Sequence, residues 1–332
     1  MLRGRLHFPR SERCRLLLTT TVIVLIGLAA IMLTFGAKMT MLWGPLMKTK
    51  INKCYSCSTD APIYYRDQVI VLMYHHVSPE PKGEGYITPG RFAADLEQLK
   101  KNGYNIIPVD CLAAFTERKT VVPPNAVVVT FDDGNKDFYL HVFPILEKLR
   151  VPATVFVIGG KMGSKDFLTW DQVRKMEKSG LVTIGGHTFN QHYRAHIASD
   201  RKQPASVACI YDPQSGTKET RGQYLQRMTS DSRLLQETFQ TELGHTTPYF
   251  AYPYGGYSPD FTRVLQKSGF RYLFTVTKGS NRLDQDPALY HRVNAGKPKL
   301  SPEKLLCTVK TTVVYDGFFS KQPVAWSPVW DD

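Results

Sequence analysis

Two acidic residues stand side by side in VVVTFDDGNKDF (127–138): Asp132 and Asp133, behind an apolar run and ahead of Gly134. Adjacent carboxylates repel, and a charge at the end of a core strand is costly unless it is paired or bound to a cation. A second cluster, GGHTFNQH (185–192), carries His187 and His192 five positions apart. Five residues turn a helix by about 140°, so one helical face cannot present both imidazoles, whereas a loop can. One carboxylate and two imidazoles make a three-ligand set suited to zinc or a similar divalent ion, with positions left open for water and substrate. In FAYPYGGYS (250–258), Pro253, Gly255 and Gly256 force a tight turn that exposes Tyr254 and its backbone N–H. Taken singly, DDG is a common turn, and histidines on a polar loop are commonly solvated. Their shared position, each just past a strand-like run, is what suggests a site.

Short apolar runs alternate with helical patterns from residue 69 onward. VIVLMY (69–74), YNIIPV (104–109), AVVVTF (126–131), ATVFVI (153–158), LVTIGG (181–186), TPYFAY (247–252) and RYLFTV (271–276) read as strands. Thr88-Pro89, Thr169, Ser258-Pro259 and Ser301-Pro302 open helices, and Gly103, Gly180 and Gly269 close three of them. A polar stretch from 193 to 217 reads as a surface loop, followed by a long amphipathic helix over 218–243. Such alternation points to an α/β fold with a parallel sheet, most simply a β/α barrel. A doubly wound open sheet is the alternative, although no GxGxxG follows the first strand. In a barrel, chemistry gathers at the carboxyl ends of strands, where both clusters lie.

The 332 residues suffice for one large domain. Residues 16–37 carry no charge over 22 positions, the span of a bilayer as a helix, and Arg3, Arg5, Arg10, Arg13 and Arg15 precede them. The expectation is a cytoplasmic basic tail (1–15), an uncleaved single-pass transmembrane helix (16–37), a juxtamembrane stalk (38–65) and a catalytic domain (66–332) outside the cell membrane. A cleaved signal peptide is the rival, but Phe35 or Leu28 would stand at −3 of the candidate cuts. Of the net charge of +13, residues 1–60 supply +7, with nine Lys/Arg against two acids. Much of the excess therefore belongs to membrane topology and anionic lipid. A nucleic-acid partner would need a basic stripe interleaved with aromatics, which the sequence does not contain. Cys54 and Cys57 form a lone CxxC without the second pair a zinc site needs, so a local disulfide or free thiols fit better. Cys14, Cys111, Cys209 and Cys307 read as packing residues.

TFDDG, then HTFNQH, then PYG, in that order and spacing, resembles the polysaccharide deacetylases, the NodB-like carbohydrate esterases of family four, over roughly residues 69–300. The resemblance implies a distorted β/α barrel and metal-dependent removal of N- or O-acetyl groups from a glycan. It also implies Asp132 as general base, Asp133, His187 and His192 as metal ligands, and the Tyr254 N–H as a donor to the oxyanion. Zinc is the expected ion, with Ni2+ or Co2+ as alternatives. The five-residue histidine spacing and FAYPYG are similar to the subgroup that deacetylates poly-β-1,6-N-acetylglucosamine in biofilms. In that subgroup the motif order is permuted and the acid is a histidine from an early strand. Here that is His75 of LMYHHV (72–77), with His76 pointing the other way if the strand continues. His291, in LYH (289–291), is the rival.

Three departures stand out. Many members space the two histidines by four positions. The arginine expected two positions before the PYG proline is Ala251, so its aid to the base is missing or comes from elsewhere. No tryptophan occurs after 255 until Trp326, so a Trp-containing motif is not evident.

The expected function is a hydrolase that removes N-acetyl groups from a cell-surface N-acetylglucosamine polymer. It would release acetate and act as a monomeric ectodomain on cell-wall or extracellular polysaccharide. A weak or inactive glycan-binding module on the same fold is the alternative, favoured by the missing arginine and tryptophan and disfavoured by the intact Asp and His set. A glycosidase needs carboxyl groups about 5 Å or more apart, which adjacent residues serve poorly. A DxDGT phosphatase needs alternating acids.

Overall fold

The computed structural model describes residues 62–319. The first strands are β1 (Gln68–Tyr74), β2 (His76–Val77) and β3 (Tyr86–Ile87), followed by α1 (Pro89–Lys101), β4 (Asn105–Ile106) and α2 (Val109–Thr116). Next come β5 (Ala126–Phe131), a π-helical turn (Phe138–Val142) running into α3 (Phe143–Leu149), β6 (Ala153–Val157), α4 (Trp170–Lys178) and β7 (Val182–Gly186). A hairpin of β8 (Arg194–His196) and β9 (Lys202–Pro204) precedes α5 (Arg221–Leu243), β10 (Tyr249–Ala251) and α6 (Pro259–Lys267). The described residues close with β11 (Tyr272–Phe274), β12 (Asn281–Arg282), β13 (Val293–Asn294) and α7 (Pro302–Phe319).

The main sheet runs β11-β10-β7-β6-β5-β1-β12. From β1 through β5, β6, β7 and β10 to β11 every pairing is parallel, and each new strand joins the same growing edge. The order never reverses, so the switch point that defines a doubly wound sheet is absent from it. The sheet curls instead. Residues 290–295 bond to both of its ends: Tyr290 N–H donates to Leu273 O (2.9 Å) and Ala295 N–H to Met73 O (3.0 Å). The result is a curled, barrel-like parallel sheet.

Strand phase divides the core. Ile70, Leu72, Val127, Val129, Phe131 and Val155 pack outward among the helices. Val69, Val71, Ala126, Val128, Phe156, Ala251, Phe274 and Tyr290 face the other way, against α2. All six residues of β5 are buried, as a parallel strand covered on both faces requires. Caps fix the helix starts: Thr88 accepts from Arg91 N–H, Ser258 accepts from Phe261 N–H, and Thr169 and Thr220 form capping boxes with Gln172 and Gln223.

Three expectations change. YNIIPV supplies only a two-residue strand, because Val109 already begins α2. The stretch 193–217 is not a free loop but holds the β8–β9 hairpin. Cys111 is disulfide-bonded, while Cys209 and Cys307 are free. The expected tail (1–15), membrane helix (16–37) and nearly all of the stalk (38–65) lie outside the described residues. Among the described residues no helix is long and apolar enough to cross a membrane.

Asp95 on α1 ties this helix to β1. Arg91 Nε donates to its Oδ1 (2.7 Å) and Tyr74 Oη donates to its Oδ2 (3.2 Å). Burial pushes the Asp95 carboxyl up to about 6, against the downward pull of those two hydrogen bonds. The folded state therefore holds the Asp95 proton more tightly than the unfolded chain. That contribution is complete below pH ~4 and is lost as pH rises through about 6. Denaturant melts should show wild type losing on the order of 3 kcal/mol more than Asp95→Asn between pH 4 and 7. Parallel curves would refute the assignment.

Candidate metal centre and active site

The sheet's carboxyl edge gathers the candidate residues. In β5, Ala126 and Val128 face the interior, and Asp132 follows in the same phase just past the strand. Its carboxylate is 3% exposed. Arg292, fully buried, meets it with two parallel hydrogen bonds, Nη1 to Oδ1 (2.6 Å) and Nη2 to Oδ2 (2.8 Å). Arg292 Nε donates to Thr275 O (2.7 Å), which fixes the plane of the fork. Burial alone would push the Asp132 carboxyl up. The charge of Arg292, then nearby His187, then the Arg292 hydrogen bonds outweigh burial and hold it well below the usual carboxylate range.

Asp133 would point away from the interior if the strand continued. Instead its φ is 76°, a left-handed conformation that aspartate tolerates better than most residues. Gly134 repeats the left-handed turn at φ 75°, where a Cβ would press on Val157 at 3.0 Å. The two reversals bring Asp133 Oδ1 to 3.5 Å from His187 Nε2 and 3.3 Å from His192 Nε2. One ligand atom from each of the three residues lies within 4.8 Å of the others.

The hydrogen bonds around these atoms test whether they suit a metal. His187 Nδ1–H donates to Ala251 O (2.7 Å), which leaves the Nε2 lone pair turned toward Asp133. Asp133 Oδ1 is buried and has no hydrogen-bond partner. Burial, then the adjacent His187, pushes the His192 pKa down to about 4, so His192 is neutral at physiological pH, the form that ligates. The Asp133 carboxylate and the His187 Nε2 lone pair therefore converge, and a neutral His192 can turn a third lone pair to the same point. Such an arrangement is repulsive until a cation lies among them, and the three residues fit a divalent ion.

His192 sits on a loop that is held from behind. Asp231, buried on α5, accepts from Phe189 N–H (2.9 Å) and Asn190 N–H (2.7 Å). One turn earlier on α5, Arg227 donates to Gln191 Oε1 (2.8 Å). The Tyr254 ring stacks on the His192 imidazole (centroids 4.6 Å apart). Tyr254 has φ 56°, a strain on the order of 1–2 kcal/mol for a bulky residue. Gly255 follows at φ 70°, where a Cβ would strike Val276 at 2.3 Å. The turn's bonds, Gly255 N–H to Tyr252 O and Gly256 N–H to Pro253 O (both 2.9 Å), do not use the Tyr254 N–H.

His75 continues the interior phase of β1. Its Nε2 lies 4.0 Å from Asp132 Oδ2, and its side chain is 32% exposed. His76 takes the opposite phase, bonds Asp137 Oδ2 (2.9 Å) and stacks on Tyr86. His291 has the strand phase opposite to Arg292 and packs its ring over Gly279. The structure thus brings together Asp132, Asp133, His187, His192, Tyr254 and His75, and directs His291 elsewhere. Sequence reasoning missed Arg292, Asp231 and Arg227. A signal for Arg292 was present in LYHRV: if Tyr290 faces the interior, strand alternation places the arginine there and not the histidine.

Asp231→Asn keeps the size of the side chain but sets an NH2 group against a backbone N–H. Zinc affinity, measured by competition with a chromogenic chelator, should fall at least tenfold, since such support is typically worth about 10- to 100-fold. Unchanged affinity would show that the loop holds its shape without Asp231.

Comparisons with known proteins agree with this geometry. Residues 119–273 match the family model "Polysaccharide deacetylase". The poly-beta-1,6-N-acetyl-D-glucosamine N-deacetylase of Escherichia coli K12 is 28% identical over 250 residues, covering 70% of this chain and 37% of the relative. The chain thus spans little more than a third of that protein's length. Among solved structures, a de-N-acetylase from Aggregatibacter actinomycetemcomitans superposes with TM-score 0.66 at 25% identity, covering 73% of this chain and all of that one. IcaB from Ammonifex degensii gives TM-score 0.61 at 28% identity over 74% of this chain and 97% of its own. The TFDDG, HTFNQH and PYG segments all lie within the residues that match the polysaccharide deacetylase model.

Proposed function

We propose that this protein is a metal-dependent hydrolase that removes N-acetyl groups from an N-acetylglucosamine polymer, releasing acetate and leaving free glucosamine units. The observation that carries this reading is the joint placement of Asp133, His187 and His192 beside an Asp132 already paired to arginine. The named substrate of the E. coli relative favours poly-β-1,6-N-acetylglucosamine over peptidoglycan or chitin-like chains. The two-imidazole, one-carboxylate set favours Zn2+, with Ni2+ and Co2+ next.

Asp133, His187 and His192 would hold the ion. When bound, it lowers the pKa of water toward ~7 and polarises the acetyl carbonyl. Asp132 takes the proton of the attacking water. Arg292 keeps Asp132 ionised throughout the physiological range, so the base form is always present. The Tyr254 N–H donates to the carbonyl oxygen as it gains charge, a contact worth on the order of 3 kcal/mol. His75, a third exposed and next to Asp132, protonates the departing amine, because an amine anion cannot leave into neutral water. The arginine whose absence at 251 favoured an inert glycan-binding module stands at 292 instead, which weakens that alternative.

The same proposal places the domain outside the cell, anchored through residues 16–37 and acting as a monomer. The arginine-flanked apolar segment supports this, as does the Cys111 disulfide, since such bonds persist in oxidising compartments.

Acetate release from β-1,6-linked N-acetylglucosamine oligomers should be abolished by a chelator and restored by Zn2+. Asp132→Asn should keep the metal yet lose at least about 10³-fold in kcat. Activity that survives complete metal removal would overturn the mechanism.

Arg292→Met leaves Asp132 buried without its cation, at a cost of about 3–5 kcal/mol in stability. In whatever fraction remains folded, the acid limb of the pH–rate profile should move to higher pH, because Asp132 loses the charge that depresses its pKa. An unmoved limb would show that the limb does not report Asp132.

A further inference from the structure

The stretch 193–217, expected to be solvated, is built into the wall of the site. Arg227 donates to Ala205 O (3.0 Å), Ala208 O (2.9 Å) and Glu219, while Ala195, Ala205, Val207 and Ala208 are buried. The hairpin lies against the PYG turn: a Cβ at Gly256 would meet Pro204 and Val207 at 3.3 Å. This support carries Arg194 over the Tyr254 ring, its guanidinium carbon 5.2 Å from the centroid. Tyr254 in turn stacks on His192, so guanidinium, phenol and metal-ligating imidazole form three successive layers. Arg194 is exposed and has no acidic partner among the described residues. The Tyr254 ring is 41% exposed.

We propose that Arg194 and the Tyr254 ring form a subsite for the sugar next to the one being deacetylated, and that this subsite selects N-acetylglucosamine over glucosamine. The inference rests on the deacetylase reading for the polymer it names. The sugar packs along the exposed edge of the phenol, whose faces Arg194 and His192 cover, and the guanidinium donates to the neutral acetamide carbonyl. Glucosamine carries an ammonium in place of that carbonyl, so it offers like charge and no acceptor. The product of one turnover is thus disfavoured at the neighbouring position, and successive deacetylations are spread along the chain. Because Arg194 is exposed, salt screens the discrimination.

The test is equilibrium binding to the metal-loaded, non-hydrolysing Asp132→Asn protein, with Arg194 intact or replaced, using two β-1,6-linked pentamers. One is fully acetylated, and the other carries a single internal glucosamine. With Arg194 intact, the protein should bind the acetylated pentamer about fivefold more tightly at low salt. Arg194→Ala should bring the ratio near one, Arg194→Glu should invert it, and Arg194→Lys should keep part of it. Melting temperatures would confirm that the variants are folded. Equal affinities with Arg194 intact, a ratio insensitive to Arg194, or no binding of either pentamer overturns the proposal. Acetate release by the wild type is scored separately: binding selectivity without release would leave the subsite standing and remove the hydrolase reading.

Discussion

Two adjacent carboxylates in a buried position demand two different cations, and the site is organised around that demand. Asp132 is satisfied within the chain, by a guanidinium that hydrogen-bonds both of its oxygens. Asp133 is not. One of its oxygens is buried with no hydrogen-bond partner and faces two imidazole nitrogens. Desolvating an anion without a counter-charge costs several kcal/mol, so the fold is most stable when an external ion completes the second pair.

Backbone geometry makes the division possible. A strand alone would send neighbouring side chains to opposite faces, separating the acids. Left-handed turns at Asp133 and Gly134 recover the second carboxylate, and close packing of Val157 leaves no room for a side chain at 134. The cation for the first acid comes from the far end of the chain, on the segment that joins β11 to β1. Closing the sheet and pairing Asp132 are therefore one event, and loss of either weakens the other.

Much of this was legible from residue order. Caps and glycines placed most helices, the valine-rich runs placed most strands, and the order of motifs pointed to the cluster of Asp133, His187 and His192. Arg292 was not legible by motif, because a pattern search for LYH stops one residue short of it, whereas strand alternation reaches it. Asp231 and Arg227 were hidden for another reason. They lie on the long helix α5 among ordinary surface-type residues, and only the fold shows that they brace the His192 loop. The stretch 193–217 misled because polar composition reads as solvent, whereas here Arg227 donates to its backbone carbonyls and to Glu219, and Glu219 accepts from Ile210 N–H.

Elemental mass spectrometry of the purified protein beside Asp133→Ala and His192→Ala measures the central claim directly. The account predicts one tightly held divalent ion per chain in wild type and little or none in either variant. Equal metal content in all three, or a wild type that holds none when refolded in excess zinc, would contradict it.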